Sequence, residues 1–165
     1  MLKRLLGIAI AAGAASLAAT ATLPPAWAQE KPADAAYRDI ELTLGLVPAY
    51  MKMLPEAAIA GAWGEYKGLV LNPNSKLDAK TKQLIALAVA AQVPCSYCTY
   101  GHTAFARLNG ATDEEIREAV AVGAIVRHWS TIANGTQIDL EAHKRDIDSI
   151  VAHIESVRKA RAKTP

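Results

Sequence analysis

Two cysteines and one histidine lie close together in the segment VPCSYCTYGH, residues 93–102. Cys95 and Cys98 are the only cysteines in the chain, and His102 follows four residues after the second. On a helix that turns 100° per residue, the three side chains fall within an arc of about 60°. Two thiols and an imidazole on one face can share protons and form a disulfide. The pattern therefore predicts thiol chemistry.

Cys95 also follows a proline, which places it at the start of the predicted helix. Unpaired backbone N–H groups and the helix dipole favour a thiolate at that position. A thiol with a pKa near 8.5 is only about 3% ionised at pH 7, whereas a pKa of 7 makes it about half ionised. The difference corresponds to roughly 2 kcal/mol, which a helix terminus and a hydrogen-bonded histidine can together supply.

Three other interpretations of these residues compete with a redox-active dithiol. A structural disulfide suits an exported protein, although so short a loop constrains the unfolded chain by only about 2 kcal/mol. A metal site at Cys95, Cys98 and His102 lacks a second pair of ligands at the usual spacing. Covalent haem attachment requires histidine directly after the second cysteine, where Thr99 stands. We therefore favour the redox pair, expect neither metal nor cofactor, and leave the structural disulfide open.

The N-terminus has the three parts of a secretory signal peptide. Lys3 and Arg4 precede the apolar run LLGIAIAAGAASLAA, and Ala26-Trp27-Ala28 forms a cleavage site. We expect residues 1–28 to be removed and the protein to be periplasmic or secreted, with an uncleaved anchor as the alternative. No later apolar run is long enough to span a membrane. Residues 29–165, 137 of the 165, suffice for a single domain.

The charge balance argues against nucleic acid as a partner. The chain has 18 basic and 16 acidic residues, and loss of Lys3 and Arg4 leaves 16 of each. Proteins that bind nucleic acid usually carry a clustered basic excess. The basic residues between 158 and 163 are better explained as the solvated end of a helix.

Helix signals follow one another along residues 34–157, and strand signals are almost absent. Pro48 and Pro55 each suit the first turn of a helix, and Asn109-Gly110 and Asn134-Gly135 suit helix ends. Thr112 and Glu115 form a capping box, and Asp34, Asp78 and Asp139 can each cap a helix. The sequence predicts an all-α fold with two adjacent buried helices at its centre.

The segment from Leu77 to Gly135 resembles the carboxymuconolactone decarboxylase family, specifically its alkylhydroperoxidase-D-like branch. A buried helix, C-x-x-C-x-x-x-H, an Asn-Gly stop and a T-x-E-E-I start carry the resemblance. It implies a helical bundle that assembles as trimers or hexamers, with peroxidase-like (peroxiredoxin-type) or thiol–disulfide oxidoreductase activity. The decarboxylases of the family lack the cysteine pair, so their activity does not transfer.

Matched residue by residue, the resemblance makes Cys95 and Cys98 the redox pair and His102 the proton-relay histidine. At two other positions of the proton relay, this chain has residues that differ from those of the family. Gln83 stands where the family has a catalytic glutamate, and Tyr97 stands where well-known peroxidases of the branch have a second histidine. Gln83 can orient His102 by a hydrogen bond, but it cannot accept a proton.

Two further residues are candidates for the missing base or for the pocket. Glu65 lies among aromatic residues and could replace the carboxylate, although a surface position is the simpler interpretation. His128, beside Trp129, could enter the pocket or a subunit interface, although a structural role is again the simpler interpretation.

These observations predict an exported oxidoreductase. Cys98, activated by His102, would attack a small hydroperoxide or a protein disulfide, and Cys95 would then resolve the intermediate. The reverse order stays open, because thioredoxin-type sites attack with the N-terminal cysteine. An exported reductant of unknown identity must regenerate the dithiol. The alternative is a non-enzymatic helical assembly or binding protein in which the disulfide is only structural.

Overall fold

A computed structural model describes residues 30–162 of the chain, and all regular structure in that range is helical. The predicted all-α fold class is confirmed. The predicted signal peptide lies outside the described residues. Among the helices of the described range, none is long and apolar enough to cross a membrane. The elements are α1 (Pro32–Leu44), a short 3-10 helix (Ala49–Met53), α2 (Glu56–Leu69), α3 (Ala79–Gln92), α4 (Ser96–Leu108), α5 (Asp113–Gly135) and α6 (Leu140–Arg161).

The chain divides into two compact units between Trp63 and Gly64, within α2. In the first unit, Ala33, Ala36 and Ile40 are buried along one face of α1. The Trp63 indole N–H donates a hydrogen bond of 2.6 Å to Asp39, which ties α2 to α1. The single domain expected over residues 29–165 stays a prediction.

The second unit is built on α3, which packs against both α4 and α5. Leu87 and Ala90 of α3 and Ala106 of α4 are buried between these helices. α5 lies close to α3 at Gly123, where a Cβ would meet the Ala88 carbonyl oxygen at 3.4 Å, an ordinary contact that leaves little room for a larger side chain. The N-termini of α3 and α5 are joined by a 2.6 Å ion pair between Lys80 and Glu115.

The sequence predicted most helix boundaries correctly. Asp78 accepts a hydrogen bond from the Thr81 backbone N–H at the start of α3, and Asp139 caps α6 in the same way. Both hydrogen bonds of the capping box at Thr112 are present. Gly110, which follows the C-cap residue Asn109 of α4, adopts φ 83°, a left-handed conformation that suits glycine.

Two boundaries differ from the prediction. The first helix begins at Pro32, so Asp34 lies in the first turn and Lys31 occupies the cap position. Proline is favoured there because it has no N–H to leave unpaired. The helix α5 continues through Gly135, and Thr136 is its C-cap residue.

The predicted burial of the central helices is wrong for the chain on its own. Ile85 and Val89 of α3 are 50% and 55% exposed. The longer α5 has no buried residue, although it carries a dense apolar sequence. Packing within the described chain covers only one face of α3, and the apolar residues on the other faces remain open to solvent.

Candidate functional site

Cys95 and Cys98 form a disulfide at the N-terminus of α4, with their Cα atoms 5.3 Å apart. Cys95 is the N-cap residue and has extended backbone angles, φ −96° and ψ 99°. The helical arc drawn from the sequence therefore applies to Cys98 and His102, whereas Cys95 reaches the pair from just outside the helix. The structure shows the oxidised state of this pair.

The backbone around Cys95 fixes the position of its sulfur. Its Sγ accepts a hydrogen bond from the Cys98 N–H at 3.2 Å, which is the bond that an N-cap side chain makes. Its N–H donates to the Ala90 carbonyl at 3.1 Å. The Thr99 hydroxyl donates to the Cys95 carbonyl at 3.0 Å. In the reduced protein, the same N–H group and the helix dipole would stabilise a Cys95 thiolate.

Gln83 is held beside His102. Its side chain is 4% exposed, and its Oε1 lies 2.8 Å from Nδ1 of His102. An amide oxygen only accepts, so this bond requires Nδ1 to carry the proton and leaves a lone pair on Nε2. Burial lowers the pKa of His102 below 6.5, which keeps the ring neutral at pH 7. His102 is therefore set up as a base through Nε2, oriented by Gln83.

The two cysteines differ in their access to solvent. Cys98 is exposed, and Tyr97 and Tyr100 on either side of it are 90% and 82% exposed. Cys95 is half-buried and lines a groove of about 770 Å³. The groove runs along α4 through Thr99 and Thr103 to Arg107.

Glu65 and His128 have no described contact with the cysteine pair. Glu65 is exposed on α2. His128 is exposed on α5, where its ring stacks edge-on against Trp129 with centroids 5.0 Å apart. Among residues 30–162, no group of three or more His, Cys, Asp or Glu side chains is placed to hold a metal ion.

Sequence reasoning missed the groove and the charged residue at its far end. The signal was present in the spacing, because Cys95, Thr99, Thr103 and Arg107 recur every four residues and so share a helix face. The sequence did not reveal that Ala91, near the end of α3, would also line this groove.

Comparisons with known proteins agree with this geometry. The model of the carboxymuconolactone decarboxylase family matches residues 57–139, half of the 165-residue chain. "Uncharacterized protein 4 in cox locus" of Paracoccus denitrificans is 38% identical over 95 residues, which cover 55% of this chain and 86% of that protein. The crystal structure of the alkylhydroperoxidase AhpD core from Rhodospirillum rubrum matches with a TM-score of 0.60 and 29% identity, over 68% of this chain and 85% of that one. The chain is a member of the carboxymuconolactone decarboxylase family, with an AhpD-like helical fold.

Proposed function

We propose that this protein is an exported thiol–disulfide oxidoreductase that reduces organic hydroperoxides with the Cys95–Cys98 pair. The observation that carries the proposal is the disulfide at the N-terminus of α4, where Cys95 is the N-cap and its sulfur accepts a backbone N–H. The neutral His102 one turn beyond Cys98 supports it. So does the similarity to an alkylhydroperoxidase core.

The cycle starts with a Cys95 thiolate. The sequence alone favoured Cys98 for the first attack, but the geometry supports Cys95, which has the N-cap hydrogen bond and lines the groove. The thiolate attacks the terminal oxygen of the hydroperoxide. An S–O bond forms as the O–O bond breaks, and the alkoxide leaves and takes a proton from solvent to give the alcohol. Cys95 is left as a sulfenic acid.

Cys98 then resolves the sulfenic acid with the help of His102. The Cys98 thiol gives its proton to Nε2 of His102 and attacks Sγ of Cys95. The S–S bond forms, and hydroxide leaves with the proton from His102 as water. The product is the disulfide that the structure shows.

Reduction requires a dithiol from outside the protein. Its thiolate attacks Sγ of Cys98, an exposed residue, and Cys95 leaves as a thiolate that the N-terminus of α4 stabilises. The second thiol of the reductant then attacks the mixed disulfide with Cys98. The reductant leaves as a disulfide, and Cys98 is released as a thiol. Leaving groups of lower pKa depart faster, so the N-cap position favours Cys95 as the leaving sulfur in this step.

A single-turnover experiment tests the proposal. The reduced, reductant-free protein is mixed with tert-butyl hydroperoxide, and free thiols and alcohol are measured. We expect two thiols lost and one alcohol formed per hydroperoxide, without a metal or an added cofactor. A rate of thiol loss no higher than that of a denatured control would exclude peroxidase activity. That result would favour a purely structural disulfide.

The order of attack is tested with two single-cysteine variants. We expect Cys98→Ser to form a trappable sulfenic acid at Cys95 and Cys95→Ser to react slowly. The opposite result would restore Cys98 as the first nucleophile. Ser96→Ala, a change beside Cys95 that keeps both thiols, is the matched control.

Disulfide exchange with a protein is a second candidate function. The observation that favours it is the exposure of Cys98 between Tyr97 and Tyr100, which leaves this sulfur open to a large partner. Reduction of a mixed panel of protein disulfides, together with inert behaviour toward hydroperoxide, would select this function instead.

A further inference from the structure

The groove at Cys95 has the length of an extended acyl chain. Its face on α4 runs from Cys95 to Arg107, twelve residues apart, and it is also lined by Ala91 of α3 and by Pro94, which lies between α3 and α4. At a rise of 1.5 Å per residue, the two ends are about 18 Å apart. An extended acyl chain spans half of a roughly 30 Å hydrocarbon core, or about 15 Å.

The lining suits a molecule that is apolar along its length and anionic at one end. Small apolar side chains, among them Ala91, Pro94 and Ala104, alternate with hydroxyl groups such as that of Thr103. Among residues 30–162, Arg107 is the only charged residue that lines it. The volume of about 770 Å³ lies in the range of ligand pockets.

The guanidinium of Arg107 has N–H donors that its hydrogen bonds to Asp113 do not use. Its Nε and Nη2 donate to the same oxygen of Asp113, Oδ1, at 3.1 and 2.9 Å. A guanidinium has five N–H donors, so three remain for another acceptor. The side chain is 58% exposed. The charge of Asp113 offsets part of the attraction for an anion, which makes a modest preference the expected result.

We propose that the groove binds the hydroperoxide of a long-chain carboxylic acid, with the chain along α4, the carboxylate at Arg107 and the hydroperoxide at Cys95. This assignment rests on the proposed function and names its substrate class. In the step at Cys95, the Sγ–O bond forms and the O–O bond breaks. The hydroxy acid leaves after its alkoxide takes a proton from solvent, and Cys98 then closes the disulfide with release of water.

The test compares three hydroperoxides on the reduced full-length protein. They are a long-chain fatty-acid hydroperoxide, its methyl ester and tert-butyl hydroperoxide, and single-turnover thiol loss is measured at concentrations below micelle formation. We expect the acid to react about fivefold faster than the ester, since an exposed ion pair contributes up to about 1 kcal/mol. Equal rates for acid and ester would overturn the assignment.

Three variants separate the charge of Arg107 from a structural role. In Arg107→Gln, we expect the acid to react no faster than the ester, whereas Arg107→Lys should keep a preference because it keeps the charge. Arg117→Gln removes an exposed arginine on α5, outside the groove, and should leave the native ratio. A full preference in Arg107→Gln would overturn the assignment.

The two proposals fail in different ways. Reaction with tert-butyl hydroperoxide, combined with equal rates for acid and ester, would leave the proposed function standing and remove only the substrate class. No reaction with any of the three hydroperoxides would overturn both.

Discussion

At the residue scale, the two cysteines should ionise for different reasons. Cys95 depends on the N-terminus of α4, whereas Cys98 depends on His102, four residues away on the same helix. Each thiol can be titrated alone by its thiolate absorbance in the Cys98→Ser or Cys95→Ser protein.

We predict that His102→Ala raises the pKa of Cys98 toward 8.5 and leaves the pKa of Cys95 almost unchanged. His128→Ala, at an exposed histidine of α5, is the control and should change neither. A Cys98 titration that is the same with and without His102 would exclude the proton-relay role.

The second prediction at the residue scale concerns Gln83. A carboxylate in its place would stabilise the imidazolium form of His102, so Gln83→Glu should raise the pKa of that ring and the rate of disulfide formation. General-base assistance is worth about 10²- to 10⁴-fold when the geometry is right, so a gain of tenfold or more is expected. Gln92→Glu makes the same chemical change at the C-terminal end of α3 and should give no gain.

The pH profile gives an independent check on this variant. Because burial lowers the pKa of His102, the part of the native rate that depends on His102 as a base should decline only below pH 6.5. In Gln83→Glu the decline should begin at a higher pH. An unchanged profile and an unchanged rate would mean that residue 83 does not act through His102.

The same lowered pKa bears on stability. The unfolded protein binds a proton at His102 near pH 6.5, while the folded protein resists it. This histidine therefore contributes fully to stability above pH 6.5, and its contribution is lost as pH falls from 6.5 through the folded pKa.

Residue types and spacing were enough to predict the cysteine pair and the histidine. Gln83 was found through the resemblance, since nothing in the spacing between residues 83 and 102 places them together. The groove and Arg107 were missed because they depend on how the end of α3 lies against α4, which local patterns do not specify.

At the element scale, α3 supports the site because α4 and α5 both pack on it. α5 lies close to α3 at Gly123, with Ala88 and the Gln92 side chain 3.4–3.5 Å from where a Cβ would lie. We predict that Gly123→Leu lowers the free energy of unfolding by about 1–3 kcal/mol, because the larger side chain forces α5 away.

Gly123→Ala is the matched control for that change. Its Cβ meets ordinary contact distances, and alanine favours a helix interior over glycine by about 1 kcal/mol, so we expect equal or slightly higher stability. Urea unfolding measures both variants. A Gly123→Leu protein as stable as native would show that α5 does not pack closely on α3 at this point.

Helix boundaries were largely predictable because they depend on local chemistry, as at Asp78, Thr112 and Asp139. Burial was not. The apolar runs of α3 and α5 resemble those of buried helices, but a sequence does not tell whether the covering surface comes from the same chain or from another.

At the scale of the whole molecule, the exposed apolar side chains of α5 and α6 require an explanation. Neither helix has a buried residue. Large apolar side chains at least 43% exposed include Val122, Ile125, Val126, Trp129, Ile132, Ile147, Ile150, Val151 and Ile154. Burial of one such side chain is worth about 1.5–3 kcal/mol, so association of copies through these faces would be strongly favourable.

We predict that the mature protein is a homo-oligomer, a trimer or a multiple of one, by light scattering at micromolar concentration. Ile150→Asp should dissociate it or lower its melting temperature in a concentration-dependent way, and Ser149→Asp, the neighbouring exposed position, should not. A native protein that is monomeric under these conditions would contradict the prediction.

The reduction potential of the Cys95–Cys98 pair tests the central claim, that this disulfide is a working redox centre, most directly. It can be measured by equilibration of the full-length protein with defined ratios of reduced and oxidised dithiothreitol or glutathione. Stabilisation of a Cys95 thiolate at the N-terminus of α4 favours the reduced state, so we predict a value between about −120 and −230 mV. A value below about −300 mV, typical of structural disulfides, would contradict the account.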